Sequence, residues 1–322
     1  MYIDPWKSVS KALITHAHSD HARWGMGLYI AHEHCAPILK SRLGEGIVTQ
    51  TLKYNEVLRV NGVAISFHPA GHVPGSAQIR LEYQGEVLVV SGDYKTEADG
   101  LSPAFEPVRC HTFITESTFG LPVFRWRPQY EVFNQIHQWW AKNREEGTTS
   151  VLQAYSLGKA QRILHHLNPE EGPIFVHTAV HNINEVIRSF NPAFSNYRRW
   201  TAEVSADELR GAMIVAPPGA VSTPWANRFR PFSMGVASGW MSLRGARRWQ
   251  AADRGFVLSD HADWNGLIES IKLTGAEKIL VTHGYTSVFV RWLREHGWEA
   301  HELETQFKGE EAVPETEEGT SI

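Results

Sequence analysis

The sequence predicts an α/β protein, and three observations predict it. Short apolar runs of strand length recur along the chain, amphipathic stretches of helical period lie between them from about residue 120 onward, and 322 residues suffice for one large or two ordinary domains with a sizeable core. Hydrophobic residues make up 42% and charged residues 20%, the balance of a globular enzyme. No apolar run is long enough to cross a bilayer. The amino terminus Met1-Tyr2-Ile3-Asp4-Pro5 has neither the basic nor the apolar region of a secretory signal, so a cytoplasmic location and no membrane partner are expected. Two cysteines, Cys35 and Cys110, make no disulfide framework. A net charge of −4 excludes a protein that coats nucleic acid through bulk charge, leaving only local basic surface for such contacts.

Taken in order, Lys11-Ala12-Leu13-Ile14-Thr15 is a short strand that leads directly into His16-Ala17-His18-Ser19-Asp20-His21. Val63 to Phe67 alternates and stops before Gly71-His72; Ala77 to Tyr83 alternates again; Glu86 to Ser91 is a buried strand ending at Gly92-Asp93. Thr112-Phe113-Ile114-Thr115 ends at Glu116. Polar residues able to carry chemistry therefore stand just past strand ends, where α/β enzymes place their sites. From about 120 the character changes. Tyr130 to Lys142 has helical period, Ser150 to Ala154 is a strand, and Ser156 is placed to cap a helix from Leu157 to Leu167. Further strands at Pro173 to Val176 and Ala212 to Ala216 complete what reads as an inserted α/β unit. After Gly239-Trp240 the earlier pattern returns: Gly255 to Ser259 runs into Asp260-His261, and Lys278 to Thr282 into His283-Gly284. The expected division is 1–120 and 241–308 for the outer domain, 121–240 for the insert, and 309–322 for a disordered acidic tail.

His16-x-His18-x-Asp20-His21 is the strongest chemical signal. Four ligand-type side chains in six residues, spaced by the small Ala17 and Ser19, can converge if the loop bends sharply. Imidazole and carboxylate without thiolate suit zinc, manganese or iron. This phrase resembles the signature of the metallo-β-lactamase superfamily, and later phrases follow that family's order: Gly71-His72-Val73-Pro74-Gly75-Ser76, Ser91-Gly92-Asp93-Tyr94-Lys95 and Val281-Thr282-His283-Gly284. The resemblance implies an αββα sandwich holding two divalent ions, zinc first and manganese as the alternative. It implies His16, His18 and His72 on one ion, Asp20, His21 and His283 on the other, Asp93 between them, and Asp4 supporting the ligand loop.

Thr115-Glu116-Ser117-Thr118-Phe119-Gly120 and Ser259-Asp260-His261-Ala262-Asp263 resemble further marks of the β-CASP nucleases, a branch of that superfamily with an inserted cap domain. The resemblance implies that His261 donates a proton to the leaving oxygen, with Glu116 orienting it and Asp20 taking part in catalysis. Longer phrases, among them Tyr155-Ser156-Leu157-Gly158-Lys159-Ala160-Gln161 and Ala237-Ser238-Gly239-Trp240-Met241, are similar to bacterial DNA-ligase-associated exonucleases, which are Artemis-like. DNA is then the expected substrate, with an ATP-dependent DNA ligase and a helicase as functional associates. Members of that group usually carry a short stretch before the Tyr2-Ile3-Asp4 phrase, so a longer start or a missing edge strand is expected. His283 is the choice of RNA-processing members, so an mRNA 3′-end-processing type of ribonuclease stays open, as does a small-molecule hydrolase. Lys159, Arg244, Arg247 and Arg248 are the candidate backbone contacts, and Trp126, Trp225 and Trp240 the candidate stacking residues.

Overall fold

The computed structural model describes residues 1–192, 197–221, 224–246 and 252–305. The expected tail at 309–322, and Arg247 and Arg248, lie outside the described residues. The described chain divides into two compact units, one formed by Met1–Arg125 and residues 260–305, the other by Trp126–Ser259. The second unit thus extends past residue 240, because Arg254–Phe256 pairs in parallel with Phe232–Ala237 and belongs to its sheet. No described helix is long and apolar enough to cross a membrane.

The first unit holds two sheets. Strands β1 (Tyr2–Ile3), β2 (Ala12–Leu13), β3 (Tyr29–His32) and β4 (Thr49–Leu52) form a parallel sheet in that order. Seven strands form the other: β5 (Val57–Val60), β6 (Val63–Pro69), β7 (Ala77–Tyr83), β8 (Glu86–Val90), β9 (Thr112–Ser117), and, after the second unit, β16 (Lys278–Gly284) and β17 (Glu299–Glu302). Their order is β17-β16-β9-β8-β7-β6-β5. The β5–β8 pairs are antiparallel and those from β8 to β17 parallel, so β6, β8, β9 and β16 all run the same way. Their carboxyl ends consequently share one edge.

Alternation explains how the sheets meet. Leu13, Ile30 and Leu52 of the small sheet share one core with Ile65, Phe67, Ala77 and Ile79 of the large one. The large sheet's other face carries Val89, Phe113, Ile279 and Val281 against Trp264, Leu267, Phe289 and Leu293 of the helices Trp264–Thr274 and Thr286–Glu295. The helix Cys35–Leu43 packs on β3 and β4. The layers are helix, sheet, sheet, helix.

The second unit is one parallel six-stranded sheet: β10 (Thr149–Gln153), β11 (Ile174–Val176), β12 (Arg198–Arg199), β13 (Met213–Ala216), β14 (Phe232–Ala237) and β15 (Arg254–Phe256), in the order β12-β11-β13-β10-β14-β15. Its central strands read as continuous apolar runs because helices cover both faces. The helix expected from Leu157 runs Lys159–His166 instead, and Ser156 does not cap it. Gly158 occupies the cap at φ 93°, and its N–H donates to Gln161 Oε1 at 2.6 Å.

Candidate functional site

The edge shared by β6, β8, β9 and β16 gathers the polar residues of the first unit. His16 to His21 follow β2, His72 follows β6, Asp93 follows β8, Glu116 lies near the end of β9 and His283 near the end of β16. Two glycines make the approach possible. Gly71 has φ 75°, and a Cβ there would sit 2.2 Å from Lys95 O; Gly92 has φ 58°, and its Cβ would meet the Thr15 side chain at 2.7 Å. Any larger residue would push His72 or Asp93 away from the cluster. His283 itself holds φ 57°, an unusual conformation for a non-glycine residue that local packing must maintain.

Four overlapping groups of side chains bring ligand atoms within 4.8 Å of one another: His16, His18, His72 and Asp93; His16, Asp20 and His21; His21, Asp93 and His283; and Asp93, Glu116 and His261. All seven expected ligands are therefore brought together, although Asp20 and His283 share no group. Asp93 is the focus. Its Oδ2 lies 3.5 Å from His16 Nε2, 3.4 Å from His21 Nε2 and 3.9 Å from His72 Nε2, and its Oδ1 lies 4.0 Å from His283 Nδ1. His21 Nε2 is also 3.5 Å from Asp20 Oδ2.

These separations test the site against a metal. They are too long for hydrogen bonds, and His16 Nε2, His21 Nε2 and Asp93 Oδ1 are buried with no hydrogen-bond partner. Two ligands about 2.0–2.1 Å from one zinc at the tetrahedral angle stand about 3.3–3.4 Å apart. The donor set fits divalent ions.

In three of these rings the opposite nitrogen is anchored. His21 Nδ1 donates to Asp4 Oδ2 at 2.8 Å, and His72 Nδ1 donates to the Asp260 carbonyl at 2.9 Å. Asp4 also accepts from Thr15 N at 2.9 Å and Thr15 Oγ1 at 2.6 Å, and Thr15 Oγ1 stands 3.1 Å from His16 Nδ1. Such outer bonds fix the tautomer and aim the free nitrogen inward. Thr15 and the Asp260 carbonyl carry no sequence signal, since a hydroxyl after a strand is common and every residue has a carbonyl. Burial, and then the His21 charge, hold His16 well below its ordinary pKa; burial, and then His261, push His72 down to about 4. Against its burial, the Asp93 and Asp20 charges and the Asp4 bond raise His21. Burial opposes ionisation of Asp93, yet the His21 charge holds its carboxyl well below the usual range.

Glu116 and His261 form a second layer. Glu116 is 1% exposed, its two oxygens lie 2.9 and 3.1 Å from His261 Nδ1, and it accepts Tyr94 N at 2.8 Å. The imidazole is thus clamped at Nδ1, with its ring 4.7 Å from that of His72.

Of the expected nucleic-acid residues, Lys159 is buried with its ammonium 4.7 Å from the Tyr155 ring centroid, Arg244 is exposed, and Trp126, Trp225 and Trp240 are half-buried.

No protein-family model matches the chain. It is 28% identical over 302 residues to a probable DNA ligase of Opitutus terrae, covering 93% of this chain and 29% of that protein. It is 26% identical over 249 residues to ribonuclease TTHA0252 of Thermus thermophilus, covering 67% of this chain and 56% of that protein. These relatives agree with the resemblance of the chain to the β-CASP branch of the metallo-β-lactamase superfamily. A crystal structure of an Enterococcus faecalis protein of unknown function superposes with a TM-score of 0.64 at 12% identity, covering 93% of this chain and 80% of that one, a likeness of fold. The chain spans less than two thirds of either curated relative's length.

Proposed function

We propose that the chain is a two-metal phosphodiesterase that cuts nucleic acid and, within that class, a DNA exonuclease working in repair beside an ATP-dependent DNA ligase. The observation that carries the first part is the convergence of His16, His21 and Asp93 ligand atoms at 3.4–3.5 Å with their remaining partners turned outward. The helix, sheet, sheet and helix layers of the first unit support the reading of an αββα sandwich, and the second unit's place in the sequence supports that of an inserted cap. His16, His18, His72 and Asp93 would hold one ion; Asp20, His21, Asp93 and His283 would hold the other, zinc or manganese by donor type. Ions at such a site lower the pKa of water towards neutrality and neutralise phosphate oxygens.

The remaining chemistry belongs to the chain. Protonated His261 gives its Nε2 proton to the leaving oxygen, because Glu116 occupies Nδ1 and fixes which nitrogen faces outward. Glu116, buried and acceptor only, also stabilises the imidazolium before transfer. The small shell of His72 and His261 rings keeps the donor beside the ligand cluster.

The DNA reading draws on the relative named as a DNA ligase, which matches 93% of this chain within 29% of its own length, as expected if a unit of this kind is joined to a ligase there. A ribonuclease reading keeps one specific observation in its favour, His283 in the cluster beside Asp93, together with the ribonuclease relative. End-labelled DNA and RNA, single- and double-stranded, incubated with zinc or manganese test both. The expected result is shortening of DNA from one end, lost on metal chelation and reduced about 10²–10⁴-fold by His261→Ala. Preferential cutting of RNA would select the second reading, and inert metal-loaded protein would reject both.

A further inference from the structure

Away from that cluster, three neighbouring strands of the second unit end together. The chain leaves β11 at His177, β12 at Trp200 and β13 at Pro217, with His177 N donating to Val215 O at 2.9 Å and Trp200 N to Val176 O at 3.0 Å. An imidazole and an indole therefore stand side by side at the carboxyl edge of a parallel sheet, where open α/β sheets bind ligands. The turn Pro224–Phe229 adds Trp225, whose ring lies 5.0 Å from His177, 5.5 Å from Trp200 and 4.5 Å from Phe229. Trp200 and Trp225 pack on a buried apolar cluster and remain half-exposed.

Arginines surround these rings. Arg228 places its guanidinium 5.7 Å from the Trp200 ring, and Arg199 is near enough to His177 to reinforce the depression of its pKa that burial begins. Arg198 stacks over Phe175 at 5.0 Å and is neutralised by Glu208 at 2.8 Å. Arg199, Arg228 and Arg230 are exposed, and among the described residues no carboxylate pairs with them; Arg230 is held by the Asn227 side chain at 3.0 and 3.2 Å. Packing accounts for Phe229, which is buried, but not for three unneutralised guanidinium groups on the segments that carry the half-exposed indoles, with Arg228 against the Trp200 ring, in a chain of net charge −4.

We propose that this edge is a single-stranded nucleic-acid site, with base faces stacking on Trp200 and Trp225 and backbone phosphates held by Arg199, Arg228 and Arg230. The ligand chemistry is a polyanion carrying aromatic faces: every base offers a π-face, so stacking is tolerant of sequence, while guanidinium forks match phosphate oxygens. The proposal rests on the nucleic-acid reading above and deepens it by adding a strand-holding site in the second unit.

The test is equilibrium binding of the full chain to labelled single-stranded DNA and RNA of one sequence in EDTA, which separates binding from cleavage. Wild-type protein binds. Replacing Arg199, Arg228 and Arg230 together by Ala weakens binding at least about tenfold at low salt and reduces the slope of log affinity against log salt by about 2, since each single-strand phosphate contact contributes roughly 0.7. Arg291→Ala, on the other unit, leaves affinity and slope unchanged, and equal melting temperatures show that the triple variant folds. Loss with both strands makes the site general; loss with one assigns its substrate. A folded triple variant that retains wild-type affinity and slope overturns the site while leaving the nuclease reading standing. A wild-type chain that binds neither strand overturns the site, while the nuclease reading stands or falls on cleavage by the metal-loaded protein.

Discussion

Two histidine pairs of the same spacing stand in the same small sheet of the first unit and meet opposite fates. His16-x-His18 follows β2, and His32-x-His34 begins at the end of its neighbour β3. In the first pair, His16 Nε2 faces Asp93 and the loop is braced by Thr15 and Asp4. In the second, His32 stacks on Tyr54 with ring centroids 3.7 Å apart, and its Nδ1 accepts the His34 N–H at 3.3 Å. Burial, and then His34, push His32 down to about 4, so both pairs contain a neutral buried imidazole. What separates them is the carboxylate at the focus and the rings delivered from distant strands. An H-x-H spacing after a strand supplies donors; Asp93, His72 and His283 turn them into a site.

The largest effect should follow from removing that focus. Asp93→Asn keeps the shape but takes away the negative charge that faces His16, His21, His72 and His283. Bound metal measured by atomic absorption should fall from two ions per chain, and cleavage should fall by the several kcal/mol that metal ions contribute, about two to three orders of magnitude. Full metal content and full activity in Asp93→Asn would mean that the carboxylate is not the focus, and the contrast between the two pairs would collapse.

Asp4→Asn tests the bracing instead. It leaves every expected ligand in place but weakens the acceptor for His21 Nδ1 and for Thr15. Loss of such outer partners costs about 10–100-fold in metal affinity or activity; titration with a competing chelator reads it directly. The pH dependence sharpens the same point. His21 is raised above 6.5, so in metal-free protein its charge stabilises the fold below about pH 6.5 and that contribution disappears as pH rises through the raised pKa. A ligand must be neutral, so metal binding expels that proton, and affinity should increase about tenfold per pH unit until the raised pKa is passed. The gap between melting temperatures of loaded and stripped protein should therefore widen with rising pH. A gap that narrows would place the proton elsewhere.

Much of this organisation is legible in the chain because short-range physics writes it there. Ala77–Tyr83 is a strand at the bounds its alternation predicts, and Tyr130 to Lys142 lies within a helix that runs Gln129–Glu145. Cluster positions past strand ends are readable for the same reason. Long-range facts are not: the strand Arg254–Phe256 looks like part of the outer domain until its pairing with Phe232–Ala237 is seen. Ser156 is a good capping residue by type, yet Gly158 takes the cap because its positive φ and the Gln161 side chain close the turn. Lys159 at a helix start suggests a phosphate ligand, but its ammonium turns onto Tyr155. Arg199 and Arg228 attract no notice in sequence, since 28 residues separate them until the β11–β12–β13 edge draws them towards the same aromatic rings.

The smallest effect belongs to the second histidine pair, and it is the control that gives the others meaning. His34 is half-buried, donates its backbone N–H to His32, and stands with its ring 5.1 Å from the His32 ring. His34→Ala keeps that backbone bond and removes one imidazole from beside a neutral one. Stability should move by no more than about 1 kcal/mol, the centre of the range for single substitutions, and metal content and cleavage should stay at wild-type values. Removing the His34 ring also removes its repulsion of a charged His32, so the His32 pKa should rise from about 4 when followed by its imidazole proton resonances. Loss of a bound ion in His34→Ala would show that the second pair ligates after all, and the difference between the two pairs would then lie in occupancy and not in architecture.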